Sequence, residues 1–398
     1  MAWWRRQDPL RMPVNLTLRA CTRIVATGYH CAFPSLTQWR GHTYLAYREA
    51  QHHQPAAPGR VVLQRSADLA TWEPVVTLAT GGDDRDPRLL ATTDALWCAW
   101  GTYVPHWQRE GSSYATMKYD LLSHVSQTRD GHAWQAPLQV LRPGYWLWSV
   151  LEAPVTAHGK ETLRAWGAAY HFGDGLSDVD HSIHLWFSDG LGWWRHWVTM
   201  LDVGEPWARY GPAEPALCVP GPGRLACVVR LEGEPALLGR AAYPYLAWTW
   251  RALPCEVHAP ALARVPGLGW VLAGRRKLEG DARTRRRGDA GTGGDSGVGS
   301  RRRVPASGFV PASPLAPPAT YDTALWALDV EAASLRLLLA LPSGGDCSYP
   351  GLVWDEARQE LLCCYYSQHE RPATQTGWPV AADIYLARLG VEEPRSTS

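Results

Sequence analysis

Three arginines and several acids stand out by position. Asp86, Glu214 and Tyr349 each directly precede a proline that opens a short apolar stretch, and Glu152 lies two residues before Pro154. Arg48, Arg230 and Arg275 each close the apolar stretch that follows such an opening. Guanidinium groups are planar, permanently charged forks that receive a carboxylate through two parallel hydrogen bonds. Three of them brought together repel one another unless an anion or protein carboxylates sit among them. The chemistry on offer is recognition of a small acidic ligand. Alternatively, the arginines pair with Glu49, Glu152 and Asp86 as a structural plug.

Whether these groups meet depends on the elements that carry them. Short runs of Val, Leu, Tyr and Trp bounded by Gly, Pro, Asp or Ser recur along the whole chain, and amphipathic helical stretches are scarce, which reads as all-β. The runs are periodic. Units open at Phe33-Pro34, Asp86-Pro87, Glu214-Pro215, Ala259-Pro260 and Tyr349-Pro350, with a weaker opening at Glu152-Ala153-Pro154. A second apolar strand ends 14 to 16 residues after each Pro, and a third leads into a polar turn. Three turns, Ser66 to Trp72, Ser126 to Trp134 and Ser188 to Trp193, carry an Asp placed to hydrogen-bond the turn backbone and a Trp to pack beneath it. Six such units predict a six-bladed β-propeller of four-stranded antiparallel blades in one domain over 14–390. The last unit has only three strands before the C-terminus, so Val14 to Val25 is expected to complete it and close the ring. In a propeller the start of each first strand and the end of each second strand share one face, which would bring the acids, Tyr349 and the arginines to one axial mouth.

Arg276 to Thr320 is dominated by Gly, Ser, Pro, Ala and Arg and cannot bury enough to offset its ordering entropy. It is expected to be a disordered insertion between strands two and three of blade five, with residues 1–13 and 391–398 as tails. The 39 basic and 38 acidic side chains give a net charge of +1 and no field for nucleic acid or anionic lipid. No apolar run approaches the roughly 20 residues of a membrane helix. Met1 to Arg11 lacks the apolar core of a secretory signal, which predicts a cytoplasmic protein. The nine Cys follow no disulfide framework and are expected to be buried thiols. With no Cys-x-x-Cys and no zinc-type His spacing, neither metal nor cofactor is expected.

Together, Tyr44-Leu45-Ala46-Tyr47-Arg48-Glu49, Asp84-Arg85-Asp86-Pro87, Glu214 with Arg230 sixteen residues on, Gly274-Arg275, and Ser348-Tyr349-Pro350-Gly351-Leu352 followed by Tyr365-Tyr366-Ser367 resemble the sialidase (neuraminidase) superfamily over nearly all of 14–390. The resemblance implies a six-bladed propeller with Asp-box turns and a retaining glycoside hydrolase, acting on a terminal sialic acid or related acidic sugar. It makes Tyr349 the nucleophile, Glu214 its base, and Arg230 and Arg275 holders of the sugar carboxylate. Two positions depart from the family pattern. Ala32 stands where the family has a third carboxylate-binding Arg, a place that Arg48 could fill. The loop from Glu49 to Gly59 lacks the family's Asp general acid, leaving Glu49, His52, His53 or Asp86 to protonate a leaving group. Trp146 and Trp148 are candidates to stack on sugar faces. Two other readings fit the residues: a degenerate propeller that binds acidic glycan or protein without cleaving it, and an inverting glycosidase using Asp86 and Glu214 on a neutral polysaccharide.

Overall fold

The computed structural model describes residues 14–278 and 321–392, apart from 56–57, 111–113, 158–159, 173–180, 191 and 373–379. Its strands form six four-stranded antiparallel sheets arranged as a propeller. The innermost strands are His30–Trp39, Asp83–Ala91, Tyr145–Ala157, Ala213–Gly221, His258–Val265 and Ser348–Asp355, for blades one to six. The N-terminal strand, Asn15–Val25, pairs with Asp383–Glu392 as the outer strand of blade six, so the ring closes as the strand count requires. Among the described residues, no helix is long and apolar enough to cross a membrane.

The blades adhere through large buried side chains. Trp100, Trp146, Trp148 and Trp166 are all but fully buried. A Cβ on Gly101 in blade two would lie 2.0 Å from the Trp146 ring of blade three, so only Gly lets the indole approach. Asp68 accepts from the Ala70 and Thr71 N–H groups, both at 2.8 Å, and these bonds, together with that from Ser66, hold its carboxyl down at about 2. Asp130 does the same with His132 and Ala133. In the third turn Asp189 pairs with Arg164 at 2.8 Å.

Blade five joins Gly269–Lys277 to Tyr321–Asp329 as neighbours. Residues 279–320 of the expected insertion lie outside the described residues. Arg276 and Lys277 belong to the strand, with Arg276 bonded to Asp322 at 3.0 Å. The final strand likewise runs on through Val391 and Glu392.

The site is built by one repeated irregularity. In five blades the inner ladder skips two residues, between Ala32 and Ser35, Arg85 and Arg88, Ala213 and Ala216, His258 and Ala261, and Ser348 and Gly351. One of the skipped pair is always the proline, which has no N–H to give the ladder. The residue before it takes a positive φ: Phe33 56°, Asp86 55°, Glu214 56°, Ala259 47° and Tyr349 50°. For non-glycine residues such a conformation costs on the order of 1–3 kcal/mol each. A bulge re-aims the side chain it displaces, and four of these five line a single cavity. Blade three has its bulge between Leu147 and Ser149, which places Trp148 at the same rim.

Candidate active site

The cavity, about 720 Å³, is floored by Phe33, Asp86, Trp148, Glu214 and Tyr349. Glu214 is its centre of charge. Its Oε1 accepts from the Tyr349 hydroxyl at 2.7 Å and from Arg230 Nη1 at 2.8 Å, while Oε2 accepts from the Ala259 backbone N–H at 2.6 Å. Ala259, the bulge residue with no functional side chain, thus contributes its amide. Burial alone would raise the Glu214 carboxyl, but the charges of Arg230 and His258 and the bonds from Tyr349 and Ala259 outweigh it and leave it lowered. Tyr349 moves the other way, raised by burial and by the Glu214 charge against the opposing pull of Arg230 and Arg275. The resting pair is therefore a carboxylate and a neutral phenol. Its ring is fixed by Phe33, 4.8 Å away, and by Trp148 and Tyr366 at 6.1 and 6.0 Å.

Asp86 is the site's second carboxyl and of opposite character. It is buried, its Oδ1 has no hydrogen-bond partner among the described residues, and burial raises its pKa although Arg85 and Arg88 pull it down. A carboxyl raised in this way is suited to carrying a proton.

Of the three arginines expected from sequence, only Arg230 lines the cavity; Arg85 and Arg209 line it as well, whereas Arg275 and Arg48 do not. Arg230 also pairs with Glu232 at 2.6 Å. The Arg275 guanidinium lies 5.1 Å from the Tyr349 ring and bonds Asp346 at 3.0 Å, Tyr366 at 2.7 Å and the Cys347 carbonyl at 2.8 Å. Arg85 lines the cavity with its guanidinium 4.7 Å from the Phe33 ring and 5.4 Å from Tyr103. It faces Asp83 at 3.3 Å and Asp86 at 3.7 Å. Arg48 does not line the cavity. It is fully buried, bonded to Asp83 at 2.7 Å and to the His52 carbonyl at 2.8 Å, and so braces Asp83 from behind.

Two further expectations are corrected. Glu49 is bonded to Arg60 at 2.9 Å across blade one and does not reach the cavity. Glu152 lies past the blade-three bulge, opposite Ala165, where the charge of Asp94 acts on it. Pro154 does not mark the bulge, and Trp148 holds the place assigned to Glu152. Of the candidate acids in the blade-one loop, His52 is exposed, and only His53 lines the cavity. His53 Nδ1 is 2.5 Å from Asp346 Oδ2, and His30 Nε2 is 2.9 Å from the same oxygen. These three are the group whose donor atoms converge as metal ligands do among the described residues. Sequence reasoning missed Arg85, Asp346 and Tyr366 as site residues, although Arg85 and Tyr366 stand within the motifs it used.

No protein-family model matches the sequence, and no curated protein matches it. Solved structures do. A protein of unknown function from Dyadobacter fermentans superimposes with a TM-score of 0.64 at 17% identity, over 95% of this chain and 100% of its own. The phage phi92 endosialidase gives 0.55 at 12% identity, over 95% and 70%. Trypanosoma rangeli sialidase, in its complex with 2,3-difluorosialic acid described as a covalent intermediate, gives 0.52 at 11% identity. That match covers 90% of this chain and 54% of the trypanosomal one, so this chain spans just over half its length. At these identities the likeness establishes the propeller fold.

Proposed function

We propose that the chain is a retaining glycoside hydrolase acting on a terminal sialic acid or related acidic sugar, as the sialidases are. The observation that carries the reading is the 2.7 Å bond from the Tyr349 hydroxyl to Glu214, in a cavity lined by Arg85 and Arg230 and with Arg275 5.1 Å from the Tyr349 ring. Phenol is a weak nucleophile, and a carboxylate that already accepts its hydrogen bond activates it by taking the proton as the oxygen attacks. Sialidases are the glycosidases that use a Tyr nucleophile in place of a carboxylate. In the first step the Tyr349 oxygen bonds to the anomeric carbon and its proton passes to Glu214. The glycosidic C–O bond breaks and the leaving oxygen takes the proton of Asp86. In the second step water attacks the same carbon, giving its proton to Asp86, and the Tyr349 oxygen departs with the proton returned by Glu214. Two displacements restore the starting anomeric configuration. Arg85 and Arg230, which line the cavity, receive the sugar carboxylate together with Arg275, and a neutral phenol avoids presenting a resting anion to it.

The test is hydrolysis of an aryl α-sialoside followed by NMR of the first-formed sugar. The reading requires the α anomer, with turnover lost in Tyr349→Phe and Glu214→Gln. First-formed β product would instead favour direct inversion, and tight binding of free sialic acid with no turnover would identify a binding propeller.

A further inference from the structure

We propose that His30, His53 and Asp346 form a binding site for a divalent first-row transition-metal ion, zinc in the first place, at the seam between blades one and six. The inference is independent of the glycosidase reading. His30 opens the inner strand of blade one, His53 follows that blade's second strand, and Asp346 lies two residues before the inner strand of blade six. His30 Nε2, His53 Nδ1 and an Asp346 oxygen all lie within 4.8 Å of one another.

The donor set is the one such ions take. Two imidazole nitrogens and a carboxylate oxygen bind zinc at about 2.0–2.2 Å and leave a position open, as in catalytic zinc sites. The same set with open positions also suits ferrous iron. Donors around a tetrahedral ion at those bond lengths stand about 3.4 Å apart. The present separations of 2.9 Å and 2.5 Å from Oδ2 thus need to open by less than about 1 Å, within reach of a His53 side chain that is 38% exposed.

Asp346 is also supported as a metal-binding carboxylate is. Its Oδ1 is taken by Arg275 at 3.0 Å and by the Tyr366 hydroxyl at 2.6 Å, which leaves Oδ2 turned to both imidazoles. Such outer partners orient the ligand and set its basicity. Because His53 lines the cavity, the open position of a bound ion would be accessible to an acidic ligand there. The ion would also tie the first blade to the last, where the ring otherwise relies on contacts such as the Cys31 N–H to the Ala382 carbonyl.

The experiment uses the full chain, stripped with a chelator and then titrated separately with Zn²⁺, Co²⁺ and, without oxygen, Fe²⁺. Metal content, calorimetry and the visible spectrum of the Co²⁺ form are the readouts. The expected result is one equivalent bound, a ligand-field spectrum typical of low coordination, and Tm raised by about 5 °C at 100-fold excess over Kd. His53→Ala should weaken binding at least about 100-fold, and Tyr366→Phe about 10- to 100-fold, through loss of the outer partner. Uptake of Fe²⁺ alone would keep the site and change its occupant. No stoichiometric uptake by the folded unmutated protein, or uptake untouched by His53→Ala, overturns the proposal. The Co²⁺ spectrum of the unmutated chain decides the matter even if a variant fails to fold.

Discussion

Arg85→Ala is the substitution that most sharply separates the observed site from the one expected on sequence. The Arg85 guanidinium rests against the Phe33 and Tyr103 rings, and its acidic neighbours stay partnered without it: Asp83 keeps Arg48 at 2.7 Å, and Asp86 keeps the field of Arg88. The variant should therefore fold. If Arg85 shares the ligand carboxylate with Arg230 and Arg275, its loss removes charge-assisted hydrogen bonds of about 1.5–3 kcal/mol, a 10- to 150-fold weakening. Calorimetric titration with free sialic acid, and with an analogue whose carboxylate is replaced by a neutral group, measures this directly. The loss should appear for the acid and vanish for the neutral analogue. Arg85→Lys should fall between, since it keeps the charge and loses the fork. Unchanged affinity for the acid in folded Arg85→Ala, or an equal loss for both ligands, would refute the assignment.

Tyr349→Phe keeps the ring in its aromatic surroundings and removes only the attacking oxygen, so kcat on an aryl sialoside should drop at least about 10³-fold, equivalent to about 4 kcal/mol, while sialic acid binding changes little. A variant retaining a tenth of the activity would remove Tyr349 from the chemistry. Because the Asp86 carboxyl is raised, it is protonated below that raised value and loses its proton as pH climbs through it. The rate should thus have an alkaline limb that Asp86→Asn abolishes, with the residual activity greatest on substrates carrying good leaving groups. Glu214 is lowered in the folded state, so its stabilisation is present above its ordinary value of 4.5 and is lost as pH falls through the lower folded one. Urea midpoints taken from neutral to acid pH should fall less steeply for Glu214→Gln than for the unmutated chain; parallel slopes would show that Glu214 is not held as a carboxylate.

The propeller was legible because its bulges are written as prolines. In five blades the residue before that proline is the one the bulge re-aims, so reading the phase of Phe33, Asp86, Glu214 and Tyr349 amounted to reading most of the cavity floor, with Ala259 giving only its amide. Blade three makes its bulge at Trp148 without a proline, and Pro154, deeper in the same strand, drew attention to Glu152 instead. Arg48 was misjudged for a different reason. Both faces of a propeller blade are covered by neighbours, so an alternating strand does not reveal which buried side a charge occupies, and Arg48 faces Asp83 of the next blade. Arg85 stood beside Asp86, but only the bulge shows that adjacent residues can both reach the cavity. The grouping of His30 and His53 with Asp346 spans 316 and 293 residues, and no local spacing signals it.

The most direct measurement is the intact mass of the protein during incubation with 2,3-difluorosialic acid, followed by peptide mapping. Formation of a bond between Tyr349 and the sugar predicts a one-to-one covalent adduct on the peptide containing Tyr349, absent in Tyr349→Phe. An adduct on another residue, or complete absence of an adduct in a protein that binds the compound and cleaves aryl sialosides, would contradict the account.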